Sequence, residues 1–104
     1  MAEITITAEN FENEVVNSDK PVLLDFWAPW CMPCKAFSPV VHELAEEYKD
    51  SVKVGKINVD EQPMLASAFR VMSIPTTVLI KDGQAVDAQV GCIPKEQIVS
   101  MLED

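Results

Sequence analysis

Two cysteines three positions apart, Cys31 and Cys34, stand in the stretch Trp30-Cys31-Met32-Pro33-Cys34-Lys35. A thiolate at one can attack a disulfide, and the second can resolve the mixed disulfide that forms. The pair lies between a dense apolar run, Val22 to Ala28, and a segment of helical periodicity, Lys35 to Tyr48. At such a strand-to-helix junction a Cys-x-x-Cys reads as a redox dithiol. The competing readings are a structural disulfide and half of a zinc site; zinc takes four ligands, so Cys92 and His42 would have to complete the set. Cys31 precedes the helix, where unpaired backbone N–H groups and the macrodipole favour an anion. It is the candidate nucleophile. Cys34, one turn inside the helix and expected to be less exposed, is the candidate resolving thiol.

Asp25 is the other residue with chemical promise. It is the one polar residue of the run Val22 to Trp27, where an unpaired carboxylate is expensive. Burial raises the pKa of such a group and lets it exchange a proton near neutral pH. His42 falls on the polar side of its helix and is expected to be solvated. Lys35 either adds positive potential at the helix start or is solvated as well. Cys92 is expected to be a small buried hydrophobe; the sharper alternative is an auxiliary thiol open to oxidation or intermolecular pairing.

The elements that must position these groups follow from pattern. Ile4-Thr5-Ile6-Thr7 alternates as a short strand, and Asn10 to Asn17 carries Phe11 and Val15 four apart, as in a short amphipathic helix. Val22 to Trp27 is apolar on both faces apart from Asp25, the pattern of a central strand. In the next helix Phe37, Val40, Val41, Leu44, Ala45 and Tyr48 share a stripe, and Pro39 should kink it. Val52 to Val59 is a strand whose alternation slips at Gly55 and Lys56, from a bulge or from burial on both faces. Asp60 is positioned to cap a helix containing Met64, Leu65, Ala68 and Phe69, with Pro63 in its first turn. Thr76 to Ile80 and Gln84 to Val90 flank Asp82-Gly83, a strong hairpin signal, and Pro94 to Leu102 closes the chain as a helix. The order β-α-β-α-β-α-β-β-α predicts a mixed α/β sheet of five strands flanked by four helices.

Bulk properties narrow the function. The 104 residues suit one domain, and 48% hydrophobic content argues against disorder. A net charge of -9 disfavours nucleic acid and anionic membrane as partners. Nothing approaches the roughly 20 apolar residues of a membrane span. Three cysteines behind a start without a secretory pattern fit a reducing compartment, so a cytoplasmic location is expected.

From end to end the chain resembles a thioredoxin. The residues that carry the match are Asp25-Phe26-Trp27-Ala28, Trp30-Cys31 with Pro33-Cys34-Lys35, Lys56, Asn58-Val59-Asp60, Ser73-Ile74-Pro75-Thr76, Lys81-Asp82-Gly83 and Val90-Gly91. Each is weak alone; together, in order and at these spacings, they are specific. The resemblance implies a single thioredoxin domain over residues 1–104, reversible dithiol–disulfide exchange, electron transport in redox homeostasis, no bound cofactor and no metal. It implies a cis peptide bond before Pro75, an assisting role for Asp25 at Cys34 through water, and Lys56 as the partner of that acid. Trp30, Met32, Ile74, Pro75, Gly91 and Cys92 would border an apolar face for extended substrates, while Trp27 and Pro33 support the site. The implied partners are disulfide-containing proteins and a thioredoxin reductase, flavin- or ferredoxin-dependent, acting on a monomer. In the family the nucleophilic thiol lies near pKa ~7, against about 8.5 for a free thiol. That drop is worth ~2 kcal/mol, and a helix terminus supplies ~0.3–1 kcal/mol, or ~2 when partly buried. Hydrogen bonds to the sulfur, such as one from the Cys34 group, are expected to supply the rest.

The sequence departs from the family at three places. Met32 stands where glycine is common, placing a flexible apolar side chain beside Cys31 and putting the redox potential in question. Arg70 replaces a frequent helix-ending glycine and should cost a little in a left-handed cap. Cys92 is the third cysteine. Two other functions stay open: a thioredoxin-like oxidant or isomerase with a shifted potential, and a non-catalytic module that binds through the apolar face.

Overall fold

A computed structural model of the chain describes residues 2–103. Among them are five strands: β1 (Ile4–Thr5), β2 (Val22–Trp27), β3 (Lys53–Asn58), β4 (Thr76–Lys81) and β5 (Gln84–Val90). They are joined by α1 (Met32–Glu47), α2 (Pro63–Ala68), α3 (Lys95–Glu103) and a π-helical segment, Glu12–Val16. The sheet order is β1-β3-β2-β4-β5, so the apolar run with Asp25 is the central strand. β2 runs parallel to β3, with Asp25 opposite Lys56, and antiparallel to β4, with Asp25 opposite Thr77. β1 extends the parallel side and β5 the antiparallel side. This is the expected mixed α/β architecture.

Alternation along β2 divides its side chains between two cores. Leu23 meets Val54 and Leu79 under Phe37, Val41, Leu44 and Ala45 of α1 and Ile98 and Met101 of α3. Leu24 and Phe26 join Ile57, Val78 and Ile80 on the opposite face, covered by Phe11, Val15, Leu65 and Phe69. The Phe69 ring tilts against Phe26 and Phe11, with centroids 5.5 and 5.9 Å away. Because β3 is also covered on both faces, its alternation slips without a bulge. Its pairing with β2 is unbroken, and the one register shift of the β4–β5 pair lies between Leu79 and Ile80. Gly55 is glycine because Ile6 crosses it closely: a Cβ there would stand 2.6 Å from Ile6 Cγ1.

Two other expectations need correction, the winding of the first helical segment and the cap of α2. The stretch with Phe11 and Val15 is wound as a π-helix, closed by Asn17 N–H on Glu12 O at 2.9 Å. Phe11 and Val15 still face the core, but the Glu14 carbonyl accepts from Lys53 Nζ at 3.0 Å, a tertiary contact that no local pattern announces. Asp60 does not cap α2, whose N-cap residue is Gln62 without a side-chain bond; Pro63 does open the helix. Helix α1 continues through Pro39. The hairpin turn behaves as its residues dictate, with φ of 52° at Asp82 and 78° at Gly83. Arg70 adopts φ 56° just beyond α2, the left-handed conformation anticipated for it.

Candidate active site

The dithiol forms the start of α1. Cys31 is the N-cap residue with extended backbone, and its Sγ accepts a hydrogen bond from the Cys34 N–H at 3.2 Å. Pro33 lies in the first turn, where a missing N–H leaves no helical bond unmade. The two sulfurs are joined as a disulfide, with Cα atoms 5.2 Å apart. Cys31 is 4% exposed and Cys34 5%, so exposure does not separate the two as expected. What separates them is position. Cys31 sits at the positive end of the helix and receives an amide hydrogen bond, whereas Cys34 lies inside the first turn.

A second segment meets the dithiol. The Ile74–Pro75 bond is cis, and the Ile74 carbonyl oxygen lies 3.8 Å from Cys31 Sγ. Gly91, at φ 95°, donates its N–H to the Pro75 carbonyl at 2.8 Å and so ties the end of β5 to this wall. Trp30 is 66% exposed and Met32 70%, each standing clear of the core. The indole N–H of Trp30 donates to Asp60 Oδ2 at 2.9 Å, which is where the carboxylate expected to cap α2 is used. Trp30, Val59, Val71, Met72 and Ile74 line a largely apolar groove of ≈ 360 Å³ beside the dithiol. Cys92 is a free thiol and exposed, contrary to the buried expectation; the next residue, Ile93, takes the inward position against the α1 core.

Asp25 lies on the α1 side of the sheet and is 3% exposed. Burial pushes its carboxyl up from 3.8 to about 6, with Lys56 opposing and the Glu3 carboxylate adding to the rise. Its Oδ1 has no hydrogen-bond partner among the described residues. Lys56 is half-buried rather than free in solvent: its Nζ reaches Ser38 Oγ at 3.4 Å and stands 4.9 Å from the Trp27 ring centroid. Trp27 itself packs against Ala28, Cys31 and Cys34. His42 is exposed and its Nδ1 meets Glu3 Oε1 at 3.0 Å. No group of three His, Cys, Asp or Glu side chains among the described residues is arranged as metal ligands.

The model of the thioredoxin family matches residues 2–104. The chain belongs to the thioredoxin family. It is 50% identical over 97 residues to a thioredoxin of Pyropia yezoensis, covering 93% of this chain and 91% of that one. A thioredoxin of Haemophilus influenzae is 53% identical over 97 residues, with the same coverage, and thioredoxin 1 of Synechococcus elongatus is 50% identical over 98, covering 94% and 92%. The protein has the family's fold and is a thiol–disulfide oxidoreductase of the protein-disulfide reductase class, with Cys31 and Cys34 held together as its redox pair.

Three residues at this site carried no catalytic expectation. Asp60 anchors Trp30, Glu3 adds its charge to the field at Asp25, and Thr77 faces Asp25 from β4. Only Asp60 had a signal, as the end of Asn58-Val59-Asp60. No helix among the described residues is long and apolar enough to cross a membrane.

Proposed function

We propose that the protein reduces disulfides of other proteins with Cys31 as attacking sulfur and Cys34 as resolving sulfur. The observation that carries this assignment is the Cys34 N–H on Cys31 Sγ at the head of α1, which favours a thiolate at Cys31. The Cys31 thiolate attacks one substrate sulfur, and the other substrate sulfur leaves as a thiolate and takes a proton. Cys34 then passes its proton to Asp25 and attacks Cys31 Sγ. The second substrate thiolate departs, and two electrons have moved from the dithiol to the substrate. Lys56 opposes the burial of the Asp25 charge, so the acid can take and release a proton near neutrality. Trp30, Met32, Ile74, Pro75, Gly91 and the exposed Cys92 border the face on which an extended substrate lies. A separate thioredoxin reductase, flavin- or ferredoxin-dependent, returns the electrons, and the whole chain acts as one monomeric domain in the cytoplasm.

The test is reduction of insulin disulfides by Cys31→Ser and Cys34→Ser variants. Cys31→Ser should abolish turnover without trapping substrate, while Cys34→Ser should stop after one step and accumulate a mixed disulfide visible by mass spectrometry. Trapping by Cys31→Ser instead would reverse the assignment.

A second reading, oxidant or isomerase, draws on the exposed Met32 between the cysteines. The dithiol potential separates the two. A value near about -270 mV suits a reductase, and one between about -180 and -120 mV suits an isomerase or oxidant.

A further inference from the structure

Thr77 is a buried hydroxyl in strand register with Asp25. Leu23 and Leu79, two positions along β2 and β4, belong to the core under α1, so Asp25 and Thr77 project to that same side. Directly opposed residues of an antiparallel pair hold their Cβ atoms roughly 4.5–5.5 Å apart. Thr77 is 1% exposed. Its Oγ1 and the Asp25 Oδ1 are each buried without a hydrogen-bond partner among the described residues. An unpaired buried hydroxyl is destabilising, and a valine would fill the same space without it. Two such orphans facing each other point to a shared use.

We propose that Thr77 is a positioning residue for Asp25, its hydroxyl serving the carboxyl across one bridging water. The hydroxyl donates when the carboxylate is ionised and accepts when the acid holds its proton, because it carries one donor and two acceptor sites. It turns about its C–O bond between these roles and neither gains nor loses a proton overall. The proton moves only between Cys34 and Asp25, so the inference rests on the proton-exchange reading of Asp25. The other groups turned toward the acid leave this task open. Lys56 from β3 is engaged with Ser38 and the Trp27 ring, and Glu3 from the segment before β1 brings a like charge. From α1, Lys35 and His42 line the neighbouring cleft together with Lys56 and Glu3, and His42 is held by Glu3.

The test compares Thr77→Val, which removes the hydroxyl at nearly constant volume, with Thr77→Ser, which keeps it. The Asp25 carboxyl is titrated by 13C NMR in the oxidised protein, with Asp25→Asn identifying its signal. Thr77→Val should raise the midpoint by roughly 0.5 pH units or more, a threefold change in the acid constant, because the ionised form loses its donor. Thr77→Ser should stay within about 0.2 units of the parent, and Thr77→Ala should move in the same direction as valine. The proposal is overturned if the valine variant keeps the parental midpoint while resisting urea better, the result of deleting an idle buried hydroxyl. A serine variant that shifts as far as valine also overturns it. The pH profile of insulin reduction is read in parallel: if Asp25→Asn leaves it unchanged, proton exchange by Asp25 fails, while the NMR midpoints still decide the role of Thr77.

Discussion

Asp25 binds its proton more tightly in the folded chain than in the unfolded one, because burial pushes its carboxyl up from 3.8 to about 6. Between those values the folded state holds more protons than the unfolded state, so stability falls as pH rises through the window. Above it the loss is complete, at ~3 kcal/mol for a shift of about two units. Asp25→Asn should therefore be more stable than the parent at pH 7.5, by up to ~3 kcal/mol, and nearly equal to it at pH 4. Urea midpoints at the two pH values check this. An equal advantage at both would mean that the gain is not electrostatic. The carboxylate was legible in the sequence because it interrupts an apolar strand. Thr77 was not, since a threonine in Thr76-Thr77-Val78 is an ordinary strand residue until its cross-strand neighbour is known.

The elements that frame the site owe their positions to a few close approaches. Gly55 lets β1 and its continuation lie against β3, with fully buried Ile6 directly over the backbone. Gly55→Ala should destabilise the protein by ~1–3 kcal/mol, because the fully buried Ile6 would have to shift to admit a Cβ. The urea midpoint measures it, and an unchanged value would show that Ile6 can shift at no cost. At the head of α1, Cys31 as N-cap and Pro33 in the first turn are local features, and the sequence pattern placed this helix start next to β2. Asp60 illustrates the opposite case. Three residues before Pro63 it has the composition of a helix cap, yet the indole N–H of Trp30, thirty positions away, takes its carboxylate. A local rule lost to a tertiary hydrogen bond. Lys53 and the π-helical segment follow the same logic.

At the scale of the whole molecule, Asp25 sits in a field assembled from separate parts of the chain. Lys56 and Glu3 act on it with opposite sign, and together with Ser38 and His42 these two line a cleft of ≈ 550 Å³ between the start of the chain and α1. Lys56→Met should raise the Asp25 midpoint and Glu3→Gln should lower it, with the lysine change the larger, because its charge is the stronger influence. Titration of the Asp25 carboxyl by NMR checks both, and shifts of the same sign would point to altered packing instead of altered charge. By itself the sequence determined the dithiol, the order of elements, the central strand with its buried acid, and the hairpin. Each of these depends on neighbours within a turn or a strand, where spacing and side-chain periodicity decide. Only the tertiary structure decided that Cys31 and Cys34 are equally covered, that Cys92 faces outward while Ile93 turns in, and that Asp60 serves Trp30. It alone set Thr77 opposite Asp25. These outcomes depend on which distant groups compete for the same space or the same hydrogen bond, and that competition exists only once the sheet has closed around β2.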